Sequence, residues 1–577
     1  MSGLSSKFAK LNPFGKAEND EENHGEEVQP NSIAGGGHAA RRTQITKEQL
    51  RVSHAIRNFL YNENVLSRAD AGLEHDETTA ALKEFLDKPH VHVPRQLTDR
   101  SHPLTEYFIS SSHNTYLLAH QLYGTSSAVA YRTALKTGAR CVEIDAWDNQ
   151  EEHEEPKVTH GYTLASHIPF RTVCEAIRDV LDEEVAEPQL PSGHRAGPIL
   201  LSLENHCGAP GQSRLVQIMR ETWGDRLLSK AVRDHGTSEE QGSGDKVKLE
   251  ELGSKIAVIV EYHLPSEADP ESSADEDEDQ QIRKDHRAYR EEKKKAPADG
   301  IIPELADLGV YAQSVKPASN DWFESSLEHG PHNHLINVSE SGLLSLLPAA
   351  SEKIGHHNAE HLMRVYPKGT RISSQNLNPV PFWGLGAQIC ALNWQTFDHS
   401  MQLNEALFAG SDGYILKPEG LRHGGSGTGN IGRKRKLVLH IAGATDVPVP
   451  EDREADEIRP YVTCTLVHPQ DLKPEPPKRK TSTYKHHKLG IAHHGESAPV
   501  TDPIWKEKLE WEYDDNALVF LRILIKSDDK FAWNPVFAVA AVRLLYVTSD
   551  WVFIRMLDLK GRETHCTLLV KFQITEV

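Results

Sequence analysis

Apolar positions change their spacing repeatedly through the middle of the chain. From about residue 105, short runs suited to strands alternate with longer stretches that carry apolar residues at helical spacing. The runs before residue 264 are YFISSS, RCVEIDAW, GPILLSLEN and KIAVIVE, and those after residue 300 are LGVYAQSV, LMRVYP, GAQICALNWQ and DGYILKP. This α/β alternation predicts a parallel sheet covered by helices. Eight strand units are the number needed for a closed, TIM-like (β/α)8 barrel.

The pattern differs at both ends of the chain. Residues 436–577 carry closely spaced β-type runs with no helix-length segment between them, which predicts a separate all-β sandwich after a linker at 424–435. Residues 1–44 are rich in Gly, Ser, Asn and Glu and are predicted to be a disordered tail. Residues 45–100 are predicted to be helical, with Thr46 as the first N-cap. They contain no DxDxDG loop, so at most they form a degenerate EF-hand-like region.

A charged segment at 264–300 interrupts the predicted barrel. It joins an acidic run, SEADPESSADEDED, to a basic run, RKDHRAYREEKKK, and is predicted to be a disordered linker. The barrel would then consist of a first half at 101–263 and a second half at 301–423. An alternative is that the acidic run acts as an electrostatic flap over the barrel mouth.

Overall charge and cysteine usage narrow the functional classes. The formal net charge of −20 makes DNA or RNA a poor partner. The six cysteines are scattered singly, which gives no zinc motif and suits a reducing compartment. The first residues lack an apolar signal core, and no apolar run approaches the roughly 20 residues of a membrane span. We therefore expect a cytoplasmic protein whose association with membranes is peripheral.

Acids, histidines and an amide gather where the first predicted strands end. Barrel active sites lie at these strand ends. The two acids of RCVEIDAW share one face of their strand, because strand side chains alternate. An oxygen-only set of three carboxylates and one amide suits Ca2+ or Mg2+ better than zinc. The residues are His113, Asn114, Glu143, Asp145, His160 and Glu204.

Long contiguous motifs carry a family resemblance over about residues 100–577. SSSHNTYLLAHQLYG, RCVEIDAWD, THGYTL and ILLSLENHCG resemble the first catalytic half of eukaryotic phosphoinositide-specific phospholipase C, and RVYPKGTRISSQNLNPVPFWGLGAQICALNWQT and DGYILKP resemble its second half. The terminal sandwich resembles the C2 domain of that family. No pleckstrin-homology domain is recognisable before residue 100.

The resemblance implies a calcium-dependent phosphoric diester hydrolase of intracellular lipid signalling. It would cleave inositol phospholipids to diacylglycerol and inositol phosphate through a cyclic inositol phosphate. Asn114, Glu143, Asp145 and Glu204 would bind one Ca2+, and either Glu143 or Glu204 would take the proton of the 2-hydroxyl. His160 resembles the general acid, and His113 the donor that stabilises the transition state.

The second half of the resemblance concerns the lipid headgroup. Ser339, Arg364 and Tyr366 match headgroup contacts of the family, with Arg364 expected on a ring phosphate. The alternative is a plain buried strand in which Arg364 caps carbonyl groups. Family members usually place two phosphate-binding lysines where this chain has Ile259 and Glu261. We therefore expect a weaker preference for the bisphosphate, because Glu261 repels a ring phosphate.

Membrane contact is expected at two places. Leu122, Tyr162 and Leu164 match an apolar rim beside the family's active site, although simple burial would also explain them. In the sandwich, Asp446, Asp528 and Asp529 are acidic loop residues. Arg459 stands where calcium-binding C2 domains usually carry an acid, which argues against a full calcium site there.

Two other functions remain open at this point. Glycerophosphodiester phosphodiesterases also use a barrel with a Glu-x-Asp pair, but they begin with His-Arg-Gly where this chain has His-Asn-Thr-Tyr. A catalytically inactive lipid-binding scaffold is the second alternative, which the presence of both histidines and all four ligands disfavours. We expect inositol phospholipids in membranes as partners, no nucleic acid and a monomer.

Overall fold

The structure is a computed structural model. It describes residues 45–75, 77–117, 127–149, 155–159, 167–190, 192–233, 246–263, 300–317, 319–324, 327, 330–367, 375–451, 453–472, 476–486, 497–528 and 536–577. The predicted tail at 1–44 and nearly all of the predicted linker, 264–299, lie outside the described residues. Within the described part of the chain, no helix is both long and apolar enough to cross a membrane.

Two helices open the described part of the chain, α1 (His54–Asn62) and α2 (Ala80–Asp87). The prediction of a helix capped at Thr46 was wrong, because only one 3-10 turn, Lys47–Gln49, follows it. The α-helix begins seven residues later, since the Ser53 hydroxyl accepts a hydrogen bond from the third residue after it and so acts as the N-cap. The apolar faces of both helices pack against the C-terminal domain.

Eleven strands follow in one sheet. They are β1 (Tyr107–Ser112), β2 (Cys141–Trp147), β3 (Lys157–Val158), β4 (Ile168–Pro169), β5 (Ile199–His206), β6 (Ile256–Glu261), β7 (Gln313–Val315), β8 (His334–Ser339), β9 (Leu362–Tyr366), β10 (Ile389–Leu392) and β11 (Tyr414–Leu416). Parallel pairing runs β1-β2-β5-β6-β7-β8-β9-β10 and returns from β10 to β1, which closes an eight-stranded parallel barrel.

The closed barrel confirms the predicted fold class, but one of the eight strands was predicted wrongly. The run DGYILKP forms β11, which pairs antiparallel with β1 outside the closed ring, with Ile415 beside Phe108. The missing barrel strand is β8, HLINVS. Its first four residues are buried although two of them, His334 and Asn337, are polar, so its sequence lacks a continuous apolar run.

Helices cover the barrel from outside, which confirms the predicted alternation of strands and helices. The remaining helices are α3 (Ala128–Lys136), α4 (Phe170–Ala186), α5 (Ala209–Trp223), α6 (Leu249–Leu252), α7 (Pro303–Ala306), α8 (Glu340–Leu344), α9 (Ser351–Glu360), α10 (Val380–Gly384) and α11 (His399–Phe408). Their apolar faces and one face of the barrel strands form a single continuous core. The carboxyl ends of the strands are thereby held in fixed positions around one mouth.

The C-terminal domain is an antiparallel β-sandwich, as predicted. Its strands are β12 (Asn430–Thr445), β13 (Pro460–Val467), β14 (Lys478–Lys480), β15 (Ile504–Asn516), β16 (Phe520–Ser527), β17 (Val536–Arg543), β18 (Trp551–Leu557) and β19 (Glu563–Glu576). The prediction passed over β14, which consists of three exposed basic residues. A buried hydrogen bond from Arg522 Nε to Gln402 Oε1 (2.7 Å) joins the sandwich to the barrel helix α11.

Candidate active site

Two neighbouring strands bring three carboxylates together at the barrel mouth. Glu143 and Asp145 lie on one face of β2, since side chains two residues apart point the same way. The parallel register places Asp145 directly beside Glu204 of β5. Burial and the negative charges of Glu204 and Glu143 raise the pKa of Asp145 well above its usual value. We refer to Asn114, Glu143, Asp145 and Glu204 as the acidic site.

Asn114 joins the acidic site from the end of β1. Its backbone has a φ of +44°, a conformation that Asn tolerates better than most residues. This turn lets the Asn114 backbone N–H donate to Glu143 Oε2 at 2.8 Å. The Tyr116 hydroxyl lies 2.7 Å from Asp145 Oδ2 and 3.1 Å from Asn114 Oδ1. Tyr116 is fully buried and therefore fixes the spacing of these two oxygen donors.

Arg364 supplies positive charge to the same cluster from the opposite side of the barrel. It lies on β9, is only 2% exposed, and its Nη2 is 2.5 Å from Glu143 Oε1. Its Nη1 donates to Asn337 Oδ1 at 3.1 Å and lies 3.8 Å from Glu204 Oε1. Burial alone would raise the pKa of Glu204, but the charges of Arg364 and Lys316 lower it to about 2.

The donors of the acidic site fit a hard divalent cation. Asp145 Oδ1 is buried without a hydrogen-bond partner, which is costly unless something else compensates it. Ligand atoms of Asp145, Glu204 and His206 all lie within 4.8 Å of one another. Carboxylate and amide oxygens favour Ca2+ or Mg2+. His206, whose ring stacks on Trp147 at 4.1 Å, adds a nitrogen that the sequence analysis did not anticipate.

His113 stands beside the acidic site at the end of β1, half-buried. Its Nδ1 lies 2.9 Å from Asn393 Oδ1, an atom that only accepts hydrogen bonds. Nδ1 is therefore the protonated nitrogen of the neutral ring, and a donor at Nε2 requires the imidazolium form. Asn393 follows β10, so the barrel closure between β10 and β1 creates this contact.

The three predicted headgroup residues lie on adjacent strands. The register of β8 and β9 places Ser339 beside Tyr366 and Asn337 beside Arg364. The Ser339 hydroxyl accepts from the Gly342 N–H at 3.1 Å and so caps α8. The Arg364 guanidinium carbon is 5.7 Å from the centre of the Tyr366 ring.

The two positions where the family usually carries lysines differ in accessibility. Ile259 is 1% exposed and belongs to the packed barrel interior. Glu261 ends β6 and accepts a hydrogen bond from the Asn205 backbone N–H at 3.2 Å. Lys255 precedes β6 at the end opposite to Glu261, where its Nζ donates to the Asp225 carbonyl oxygen at 2.5 Å. Lys255 is thus remote from the mouth.

Several predicted residues lie outside the described part of the chain. These are His160, Leu122, Tyr162, Leu164 and Asp529. Their predicted roles as general acid, membrane rim and acidic loop stay predictions.

An arginine from the N-terminal region occupies the acidic loops of the sandwich. Arg51 Nη2 lies 2.5 Å from Asp446 Oδ1 and 2.7 Å from Asp502 Oδ1. Asp528 is 3.2 Å from the Thr483 hydroxyl. Arg51 therefore already compensates the negative charges of Asp446 and Asp502.

Sequence reasoning missed the residues that support the site rather than those that form it. They are Tyr116, His206, Asn337 and Asn393. Tyr116 stands within the HNTY motif and His206 directly follows a predicted strand end, so proximity to the motifs could have identified both. Asn337 lies in the strand that the prediction omitted, and only the closed barrel brings Asn393 to His113.

Comparison with known proteins places the barrel in one family. The family model described as "Phosphatidylinositol-specific phospholipase C, X domain" matches residues 100–262, and the corresponding Y domain matches residues 305–420. The two matched segments contain every described residue of the acidic site as well as Arg364.

Similar proteins extend the likeness beyond the barrel. Human 1-phosphatidylinositol 4,5-bisphosphate phosphodiesterase delta-1 is 30% identical over 502 residues, covering 84% of this chain and 61% of the relative. The human zeta-1 protein of the same name is 34% identical over 356 residues, covering 61% of this chain and 56% of the relative. The chain therefore spans about 56–61% of the length of these relatives. The crystal structure of PLC21 from L. pealei superposes with a TM-score of 0.67 at 23% identity, covering 93% of this chain and 65% of that one.

Proposed function

The chain belongs to the eukaryotic phosphoinositide-specific phospholipase C family, and on this premise we propose that it cleaves inositol phospholipids to diacylglycerol and inositol phosphate. The observation that carries the proposal is the cluster of Asp145, Glu204 and Glu143 at the barrel mouth, with His113 beside it. Inositol phospholipids in membranes are then its partners. We expect the protein to act at the cytoplasmic membrane surface as a monomer.

Calcium is the proposed cofactor, held by Asn114, Glu143, Asp145 and Glu204. The unpartnered Asp145 Oδ1 and the repulsion among the carboxylates both favour a cation at this place. When bound, Ca2+ supplies a Lewis acid that lowers the pKa of the inositol 2-hydroxyl and offsets negative charge at phosphorus. Asn114 and Tyr116 keep the oxygen donors in position.

The same geometry favours Glu204 as the general base. Arg364 and the Asn114 N–H already engage both oxygens of Glu143, and that carboxylate is 3% exposed. The Glu204 side chain is 29% exposed and so can reach a substrate hydroxyl. Glu204 takes the proton of the 2-hydroxyl, whose oxygen attacks phosphorus to form the cyclic inositol phosphate as diacylglycerol leaves.

The two histidines act on the phosphate. His113, held at Nδ1 by Asn393, presents its imidazolium Nε2–H to a phosphate oxygen in the transition state. His160 is the proposed general acid that protonates the departing diacylglycerol oxygen, and it then activates water to open the cyclic phosphate. Ser339, Arg364 and Tyr366 are proposed to line the headgroup side of the site, where Arg364 acts mainly through Glu143 and Glu204.

Membrane contact and substrate rank complete the proposal. Leu122, Tyr162 and Leu164 form the proposed apolar rim, and the C2-type sandwich braces the barrel without binding much calcium. Ile259 and Glu261 leave the ring phosphates without two lysines. We therefore propose relatively better use of phosphatidylinositol or its monophosphate than of the bisphosphate, and a bisphosphate preference of about a hundredfold contradicts that rank.

A vesicle assay tests the activity. Vesicles that contain phosphatidylinositol and its phosphates are incubated with the full chain, in calcium and in chelator, and diacylglycerol and inositol phosphates are measured. We expect both products in calcium only, and a loss of about a thousandfold or more in His160→Ala. His356→Ala changes an exposed histidine on α9 and serves as the matched control.

Each other outcome has a distinct meaning. Release of a free alcohol from glycerophosphoinositol, without diacylglycerol from the lipids, identifies a glycerophosphodiesterase. Binding to the vesicles with no product in calcium identifies an inactive scaffold. Either result overturns the proposed activity.

A further inference from the structure

One charged residue at the barrel mouth directly follows β7. β7 pairs with β6 on one side and with β8 on the other. The carboxyl end of β7 therefore opens between Glu261, the last residue of β6, and Ser339, the last residue of β8. Lys316 stands at this point of the mouth, one residue beyond β7.

Lys316 is an exposed member of the positive groups whose charges lower the pKa of Glu204, which also include Arg364 and His206. Arg364 is 2% exposed and paired with Glu143. The Lys316 side chain is 41% exposed. Its charge also opposes the rise that burial causes in the pKa of Tyr366. A positive group thus faces solvent beside Glu261 at the barrel mouth.

Glu261 lies beside this ammonium group, and its negative charge offsets part of the positive potential there. Glu261 Oε1 lies 3.8 Å from Lys316 Nζ, while Glu261 Oε2 accepts from the Asn205 N–H at 3.2 Å. The carboxylate is anchored to β5 by that hydrogen bond and is 17% exposed. An anion that approaches Lys316 therefore meets one cation with a fixed negative charge on one side.

We propose that Lys316 is a specificity-determining residue that binds one phosphate group on the inositol ring, and that Glu261 restricts this place to a single phosphate. The inference rests on the proposed function and deepens it. A lysine ammonium offers three hydrogen-bond donors to phosphate oxygens. A second ring phosphate must pass close to Glu261, whose charge repels it. The favoured headgroup is then an inositol phospholipid with one ring phosphate.

Lys316→Gln tests the first half of the proposal. We expect the ratio of kcat/KM for the monophosphate to kcat/KM for phosphatidylinositol to fall about tenfold, the usual scale for a hydrogen bond to a charged group. Lys316→Arg retains the charge and restores most of the ratio. Lys353→Gln removes a lysine from the Lys353–Glu324 surface pair on α9 and leaves the ratio at its wild-type value.

Glu261→Gln tests the second half. The amide oxygen can still accept from Asn205, but the negative charge beside Lys316 is gone. We expect the ratio of bisphosphate to monophosphate hydrolysis to rise several-fold, because the repulsion is removed. A ratio that stays at the wild-type value shows that Glu261 does not restrict the site.

The outcomes separate this inference from the proposed function. If Lys316→Gln lowers hydrolysis of all three lipids equally, or changes none of them, the residue does not determine specificity. If the wild-type chain hydrolyses no lipid, the proposed activity fails, and Lys316 is judged by calorimetric binding of inositol 1,4-bisphosphate against inositol 1-phosphate. In this binding assay, a tenfold loss of affinity in Lys316→Gln for inositol 1,4-bisphosphate alone supports the inference. Equal affinity of the wild-type chain for the two probes overturns it.

Discussion

Arg364 Nη2 lies 2.5 Å from Glu143 Oε1, and the pair joins β9 to β2 across the barrel interior. Both side chains are at most 3% exposed. Removing one partner of a buried pair leaves an uncompensated charge, which typically costs about 3–5 kcal/mol. We expect Arg364→Met to lower the free energy of unfolding by that amount in chelator, as measured by urea denaturation.

A double variant separates this charge effect from lost packing. In Arg364→Met with Glu143→Gln the buried carboxylate that paired with Arg364 is also neutral, so we expect the double variant to be more stable than Arg364→Met alone. Equal stability of the single and double variants would mean that the pair contributes mainly through side-chain packing.

Calcium should stabilise the folded protein through the acidic site. A ligand at about a hundred times its Kd adds roughly 2.7 kcal/mol of stability, which appears as a rise in Tm relative to chelator. We expect Glu204→Gln and Asp145→Asn to abolish most of this rise, because each removes a charged oxygen donor. Asp446→Asn in the sandwich should retain it, since Arg51 already compensates that acid. A rise lost only in Asp446→Asn would place the calcium in the sandwich.

A histidine cluster at the amino ends of β8 and β9 should make stability depend on pH. His361 stacks on His334 at 3.8 Å, with His357 and Lys246 close by. Burial and these positive neighbours lower the pKa of His361 to about 2, below its unfolded value of about 6.5. The unfolded chain therefore binds the proton first, and stability present above pH 6.5 is lost as the pH falls below it.

Replacing His361 isolates its share of that loss. Between pH 6 and pH 4 we expect the slope of unfolding free energy against pH to be shallower in His361→Gln than in wild type by up to about 1.4 kcal/mol per pH unit. Urea titrations at a series of pH values measure the slope. Parallel curves for the two proteins would mean that His361 titrates alike in both states.

Helix α1 should stabilise the sandwich through an aromatic contact. Phe59 of α1 is 6% exposed, and its ring meets Trp551 edge to face at 5.0 Å. We expect Phe59→Ala to cost about 3–5 kcal/mol of unfolding free energy, the usual range for a buried phenylalanine. Tyr61 lies on the same helix but is 39% exposed, so Tyr61→Ala should cost far less unfolding free energy. Similar losses would argue that α1 does not brace the sandwich.

The amino-acid sequence by itself determined the fold class and indicated which acids meet at the barrel mouth. Strand–helix alternation predicted the barrel, because the apolar pattern reflects which face of each element must be buried. The motifs around His113, Glu143 and Glu204 predicted a hard-cation site, since a β-strand fixes which side chains share a face. Neither prediction required knowledge of which strands are neighbours.

Contacts between distant strands were decided only by the tertiary structure. Sequence alone did not indicate that β8 rather than β11 closes the barrel, because β8 carries the polar residues His334 and Asn337 at buried positions and lacks a continuous apolar run. Nor could it show that Arg364 lies against Glu143, Asn393 against His113 and Lys316 beside Glu261. Each of these pairs joins residues far apart in the chain, and their distances depend on the closure and register of the whole barrel.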